Sequence, residues 1–247
     1  MPKVLFLYND PTAPAALLGE VFVEFGFDCT TFDVLPHDRP DDPLVDVTFP
    51  DPAGYDVIVP LGARWSVYDE RLSWVVAEME MVRDGLAAGV GVLGVCFGGQ
   101  LVASALGGTV ARSPEPEIGW CEVTSSAPDL VPDGLWFQWH FDRFTTPPGA
   151  VEVARNSCAT QAFVHGRALG LQFHPEVDLA LQEQWIAEDH GGDIGRLGLH
   201  ADDLRAVGDL DDAARRLRLL VGGFLGLLDV RAPRGPGRGR VDGQARR

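Results

Sequence analysis

The segment that most constrains the fold is an apolar run at residues 90–95 that leads into Gly94-Val95-Cys96-Phe97-Gly98 and then into a helix-like pattern at residues 100–106. The run suits a buried strand, and the apolar residues beyond it recur at helical spacing. Together they predict a strand, a sharp turn and a helix, with Cys96 in the turn. Such a turn strains the backbone and leaves no room for neighbouring side chains, which explains the glycines. The helix N-terminus just beyond Cys96 favours a thiolate and a neighbouring oxyanion.

Strand-like and helix-like segments alternate along the first 110 residues. Residues 4–8 suit a buried strand, residues 29–34 and 55–61 look like two more strands, and residues 15–25 and 72–88 suit helices. This alternation predicts an α/β fold with a doubly wound, mostly parallel sheet and helices on both faces. In such sheets a site lies at the carboxyl ends of the strands. Residues 109–172 are broken by Pro, Gly, Asn and Asp, which predicts extra short antiparallel strands.

Composition narrows the classes of function. The formal net charge is −16, which disfavours nucleic acid and an anionic membrane as partners. No apolar run reaches the roughly 20 residues that span a bilayer, and the N-terminus lacks a signal-peptide core, so we expect a cytoplasmic protein. Four cysteines show neither a disulfide framework nor zinc-site spacing, and we expect no metal and no cofactor.

The chain divides into a domain at residues 1–230 and a tail at residues 231–247. The tail is rich in Arg, Gly and Pro, which predicts disorder. Lys3 is the sole lysine in the sequence, so the chain has no phosphate-binding loop of the type that ends in Lys-Ser or Lys-Thr. We therefore expect no ATP-dependent activation of a substrate by this chain alone.

A catalytic thiol needs a base, and the base needs a group that orients it. The segment Leu171-Gln172-Phe173-His174-Pro175-Glu176 is an apolar strand that ends in a histidine, with a carboxylate two residues further on. Pro175 restricts the backbone there, and a turn can bring Glu176 back to the imidazole. We predict that Cys96, His174 and Glu176 form a triad at neighbouring strand ends.

These two motifs resemble those of the class I, or triad, glutamine amidotransferases, which share a flavodoxin-like core. The likeness covers roughly residues 3–178 and includes three lesser matches: Ala105-Leu106-Gly107-Gly108, Glu117-Ile118-Gly119-Trp120 and Gln138-Trp139-His140-Phe141-Asp142. They are most similar to the free-standing branch that resembles the amidotransferase domain of GMP synthase. The resemblance implies a glutaminase that delivers ammonia to a separate synthetase.

The resemblance also implies a role for each matching residue. Cys96 attacks the glutamine side-chain amide, His174 moves the proton, and Glu176 holds the imidazole. The Phe97 amide is one oxyanion donor. Gln100 contacts the amino-acid end of the substrate, as does the backbone near Trp139, His140 and Phe141.

One loop departs from the family pattern. The family usually has Gly-Gly-Pro where this chain has Gly62-Ala63-Arg64, so Gly62 lies at the substrate and the second oxyanion donor falls on the Ala63 amide. A glycine-only conformation would be strained at Ala63. The Arg64 cation either binds a substrate carboxylate or faces solvent.

Two alternatives stay open at this point. The same thioester chemistry serves a γ-glutamyl hydrolase that acts on a γ-glutamyl amine or peptide, since only the leaving group differs. A non-catalytic regulatory protein on the same scaffold is the other alternative. The sequence leaves the oligomeric state undetermined.

Overall fold

The computed structural model describes residues 1–36, 38–189, 192–206 and 208–229. The predicted disordered tail at residues 231–247 lies outside them. The described strands are β1 Lys3–Tyr8, β2 Asp28–Asp33, β3 Val57–Pro60, β4 Gly91–Val95, β5 Val110–Ser125, β6 Gly134–Phe144, β7 Val151–Arg155, β8 Thr160–His165 and β9 Ala168–Leu171. The described α-helices are α1 Ala16–Glu24, α2 Ser73–Ala87, α3 Phe97–Ala105, α4 Leu179–Ala187, α5 Asp193–Arg196, α6 Ala201–Ala206 and α7 Leu210–Leu227.

The strands form one nine-stranded sheet in the order β2-β1-β3-β4-β9-β8-β7-β5-β6. The first five pair in parallel. Strand order 2-1-3-4 followed by a fifth parallel strand is that of flavodoxin-like sheets, so the predicted fold class is confirmed. The other pairings are antiparallel, as the sequence predicted for the middle of the chain.

The β5–β6 hairpin is longer than its sequence indicates. Strand β5 has 16 residues and β6 has 11, where the sequence predicted short segments. Pro114 and Pro116 suggested a break, but the register of the pair shifts between Arg112 and Glu117 and accommodates both prolines. Proline is tolerated in a strand at such irregularities.

Helices cover both faces of the parallel half of the sheet, as predicted. Alternate residues of β1 point in opposite directions: Val4 and Phe6 pack with α1 and α7, while Leu5 and Leu7 pack with Met81 of α2. Helix α3 joins α2 on that second face. A central parallel strand is buried on both faces, so the side chains that alternate along it need apolar partners on each side.

A third apolar cluster lies over the hairpin, where the chain after β9 folds back. Ile118 of β5 and Phe137 of β6 pack against Leu181 of α4, Ile194 of α5 and Leu204 of α6. The short helices α5 and α6 were not predicted. This layer places α4 beside the carboxyl ends of the parallel strands. No helix in the described part of the chain is long and apolar enough to cross a membrane.

Candidate active site

Cys96 lies in the strand–turn–helix that the sequence predicts, between β4 and α3. Its backbone has φ +50° and ψ −107°, a strained conformation for a residue with a side chain. A Cβ on Gly98 would overlap the Pro60 carbonyl, and one on Gly99 would overlap the Leu171 carbonyl. The glycines therefore allow α3 to begin directly against the ends of β3 and β9.

The structure brings Cys96, His174 and Glu176 together. His174 Nδ1 lies 2.6 Å from Glu176 Oε1, so the other ring nitrogen is left for the Cys96 thiol, which lines the same pocket. The His174 amide donates to the Phe137 carbonyl, and the edge of Trp185 meets the ring with centroids 4.8 Å apart. These contacts hold the imidazole in one orientation, and both His174 and Glu176 are buried.

Charge in this cluster favours a protonated imidazole. Burial lowers the pKa of His174, but the negative charges of Cys96 and Glu176 outweigh burial and raise that pKa well above its ordinary value. The arrangement therefore suits a thiolate–imidazolium pair, which is the reactive form of a cysteine nucleophile.

The other three cysteines all have raised pKa values. Burial raises the pKa of Cys29 and Cys158, and burial together with Glu117 raises the pKa of Cys121 to about 12. These groups stay as thiols at neutral pH, and all four cysteines are free of disulfides. A cysteine-directed electrophile should therefore select Cys96.

The predicted oxyanion donors are Phe97, which follows Cys96 in the chain, and Ala63, which lines the pocket with it. Phe97 is the first residue of α3, so its N–H has no acceptor within the helix. Ala63 lines the same pocket as Cys96. Its φ is not positive, so the strain expected there is absent. A Cβ on Gly62 would lie 3.0 Å from His174 Cε1, so the glycine lets the imidazole pack against the loop.

Arg64 lines the pocket with 42% of its side chain exposed, and two carboxylates hold its guanidinium. Its Nε donates to Asp10 Oδ2 at 2.7 Å, its Nη2 to Asp10 Oδ1 at 3.2 Å, and its Nη1 to Asp41 Oδ1 at 2.7 Å. Burial would raise the pKa of Asp10, but bonds from Arg64 and Thr12 outweigh it and lower that pKa. Arg64 thus ties the predicted oxyanion loop to the end of β1.

The residues predicted to contact substrate occupy different positions along β6. Trp139 lines the pocket, and its carbonyl lies 3.9 Å from Cys96 Sγ. His140 instead lies 3.2 Å from the Glu117 carboxylate, and Phe141 stacks beneath Arg112. Gln100 is buried and donates from Nε2 to the Asp142 carbonyl at 3.0 Å. Gln100 and His140 therefore support strand β6 and are not among the residues that line the pocket.

A cavity of about 560 Å³ opens from Cys96. Its other lining residues are Asp10, Thr12, Ala13, Pro40, Asp41, Ala63, Arg64, Trp139, His174, Trp185, Glu188, Asp189 and Asp193. Most were missed by the sequence analysis. Asp10 had a usable signal, because it follows the first predicted strand at the edge where sites occur. Trp185 and the acids after it had none. Within the described ranges, no group of three or more His, Cys, Asp or Glu side chains could hold a metal ion.

Comparison with known proteins agrees with the fold and the motifs. The sequence model of the family described as Glutamine amidotransferase class-I matches residues 22–191, which is more than half of the chain. The protein belongs to the class I glutamine amidotransferase family.

Among curated proteins, the chain is similar to enzymes named GMP synthase [glutamine-hydrolyzing]. It is 42% identical to the Aeropyrum pernix enzyme over 101 residues, which are 37% of this chain and 20% of that protein. It is 33% identical to the Nitrosomonas eutropha enzyme over 152 residues, which are 55% of this chain and 28% of that protein. The chain thus spans only about a fifth to a quarter of the length of these relatives.

Two solved structures share the whole architecture. A glutamine amidotransferase from Thermotoga maritima is 25% identical with a TM-score of 0.77, over 92% of this chain and 98% of that one. A glutamine amido transferase from Methylobacillus flagellatus has a TM-score of 0.80 at 22% identity, over 97% of this chain and 98% of that one. These likenesses extend the shared fold over nearly the full length of the described chain.

Proposed function

We propose that the protein hydrolyses the side-chain amide of glutamine through a thioester on Cys96. The observation that carries the proposal is that Cys96 and His174 line one open pocket, with His174 bonded to Glu176 and its pKa raised. Membership of the amidotransferase family supports glutamine as the substrate.

The proposed chemistry has two stages. The Cys96 thiolate attacks the γ-carbonyl carbon, and the Phe97 and Ala63 amides stabilise the oxyanion. His174 gives its proton to the leaving nitrogen as the C–N bond breaks, which releases ammonia and leaves a γ-glutamyl thioester. His174 then takes a proton from water, and the resulting hydroxide attacks the thioester to give glutamate.

We further propose that the ammonia passes to a separate synthetase. Support comes from a relative in Sulfurisphaera tokodaii, whose name makes it one subunit of GMP synthase [glutamine-hydrolyzing]. The chain is 37% identical to that protein over 95 residues, which are 34% of this chain and 50% of that one. A protein named as one subunit works with another chain. Here the acceptor would likewise be supplied by a second protein.

A labelling and turnover experiment tests the glutaminase proposal. The purified protein should release ammonia and glutamate from glutamine, and a glutamine-like chloroketone should label Cys96 alone. Cys96→Ala should abolish both, while Cys29→Ala, which removes a thiol with a raised pKa, should change neither. Turnover that survives in Cys96→Ala would refute the proposal, as would a labelled Cys29.

A further inference from the structure

The outer part of the active-site cavity is acidic. Five carboxylates line it, and they come from four separate parts of the chain: Asp10 after β1, Asp41, Glu188 and Asp189 after α4, and Asp193 in α5. Arg64 is the one cation among the lining residues that the structure describes. The Cys96–His174 pair adds no net charge, since a thiolate balances an imidazolium.

Ion pairs leave this negative charge largely uncompensated. Arg64 is shared between Asp10 and Asp41, so that group of three keeps one net negative charge. Asp193 pairs with Arg196, whereas Asp189 accepts from the backbone amides of Asp193 and Ile194. Glu188 accepts from the neutral amide of Gln184.

Aromatic rings add a second feature that suits an organic cation. Trp139 and Trp185 both line the cavity, with ring centroids 6.0 Å apart and planes at 80°. The Trp185 Nε1 donates to the Thr12 carbonyl at 2.7 Å, which fixes its ring. An ammonium group between indole rings and carboxylates gains from both cation–π attraction and charge pairing.

The cavity is also larger than glutamine needs. At about 560 Å³ it falls within the range of roughly 300–1,000 Å³ that is typical of sites for drug-sized ligands. Glutamine is much smaller than such ligands. Space therefore remains for a substituent on the amide nitrogen.

We infer that the site also hydrolyses γ-glutamyl amides whose amine portion carries a second, protonated amino group. The inference rests on the proposed cysteine chemistry and adds a class of leaving group to it. Cys96 attacks the γ-carbonyl carbon, the bond to the amide nitrogen breaks, and His174 protonates that nitrogen. A diamine or polyamine leaves in place of ammonia, and water then releases glutamate from the thioester. A γ-glutamyl peptide, whose leaving group ends in a carboxylate, is disfavoured by the same charges.

Three substrates of matched length test this inference. They are γ-glutamyl-1,4-diaminobutane, γ-glutamylpentylamine and γ-glutamyl-4-aminobutyrate, whose distal groups are cationic, neutral and anionic. We expect kcat/KM, followed as glutamate released, to be at least roughly tenfold higher for the cation than for the anion, with the neutral amide between them. Added salt should reduce that ratio because it screens the exposed carboxylates.

Variants locate the preference in the cavity. Glu188→Gln and Asp193→Asn should lower the cation-to-anion ratio of kcat/KM several-fold. Glu183→Gln is the matched control, because Glu183 lies on α4 but pairs with Arg205 outside the cavity lining, and it should leave the ratio unchanged.

The possible failures can be told apart. Equal rates for the three amides, or turnover of glutamine alone, would overturn the inference and leave the proposed glutaminase standing. A ratio that Glu188→Gln and Asp193→Asn leave untouched would also overturn it. No glutamate from any compound, glutamine included, would contradict the proposed function and the inference with it.

Discussion

At the scale of single residues, a buried carboxyl group behind the active site has a structural task. Glu78 of α2 is fully buried, and its Oε1 accepts from Asn9 Nδ2 at 3.1 Å. The same Asn9 nitrogen donates to the Leu61 carbonyl at 3.2 Å. Burial raises the pKa of Glu78 to about 8, although the bond from Asn9 opposes the shift. Glu78 is therefore mostly protonated at neutral pH and supports the residue just before the proposed oxyanion loop.

This raised pKa predicts a pH dependence of stability. A carboxyl whose folded pKa exceeds its unfolded value contributes stability that is complete below about pH 4.5 and is lost as the pH rises to about 8. Over that window the free energy of unfolding should fall by up to roughly 1.4 kcal/mol per pH unit. Glu78→Gln keeps the acceptor for Asn9 but cannot ionise, so it should lack this loss.

Urea unfolding at about pH 5, 6.5 and 8 checks the prediction. The stability of Glu78→Gln relative to the native sequence should increase with pH. Glu80→Gln, an exposed position on the same helix, should keep a constant difference from the native sequence. Parallel curves for Glu78→Gln and the native sequence would contradict the assignment.

At the scale of elements, the active site is assembled where strand ends meet, and one ion pair joins two of those ends. Arg64 follows β3, and the buried Asp10 follows β1. Three bonds from Arg64 to Asp10, two from its side chain and one from its backbone amide, fix the residue next to Ala63. The sequence showed the loop to be unusual, but it could not show that the arginine is held by Asp10, because the two are 54 residues apart.

Removing this pair should affect both stability and rate. Arg64→Ala leaves the Asp10 carboxylate buried without its cation, which we expect to lower the free energy of unfolding by about 1–3 kcal/mol at pH 7. Glutaminase kcat should fall at least roughly tenfold because the predicted oxyanion loop loses the side-chain bonds to Asp10. Because the pKa of Asp10 is lowered, its contribution exists above its unfolded pKa of 3.8 and disappears as the pH falls below that value.

Urea unfolding and glutamine kinetics measure the two effects. The stability gap between Arg64→Ala and the native sequence should close as the pH falls below 3.8. Arg64→Lys should recover only part of the rate, since an ammonium cannot bond both Asp10 oxygens in the same planar geometry. Arg71→Ala, which breaks an exposed pair with Asp69, should be neutral. An unaltered kcat in Arg64→Ala would show that activity does not depend on the ion pair between Arg64 and Asp10.

At the scale of the whole molecule, prediction from sequence succeeded where the chain repeats a local pattern. Apart from the exposed edge strand β2, the strands and helices up to Ala105 follow patterns that indicate their own burial, and Cys96 and His174 follow buried strands. It failed where distant segments meet. Trp185 bonds Thr12 across 173 residues, and α5 and α6 are too short to show a period. The acidic half of the cavity depends on these contacts, so the sequence indicated the chemistry but not the charge of the pocket.

Covering one face of the sheet also depends on a long-range contact. Helix α7, near the C-terminal end of the described chain, packs on α1. Phe224 is fully buried in the cluster that includes Phe22 and Val4, and Arg218 bonds Glu24 on the surface beside it. Phe224→Ala should lower the free energy of unfolding by roughly 3–5 kcal/mol and Tm by roughly 6–20 °C. The cavity lining contains no residue of α7, so glutaminase kcat should be retained at temperatures where the variant is folded.

Thermal unfolding followed by circular dichroism, with kcat measured well below Tm, separates the two effects. Leu219→Ala is the matched control, because Leu219 lies on the same helix with 51% of its surface exposed, and it should change stability by less than roughly 0.5 kcal/mol. If Phe224→Ala and Leu219→Ala unfold at the same temperature, α7 does not pack against this face of the sheet in solution. If Phe224→Ala loses kcat while folded, the helix acts on the active site as well as on the core.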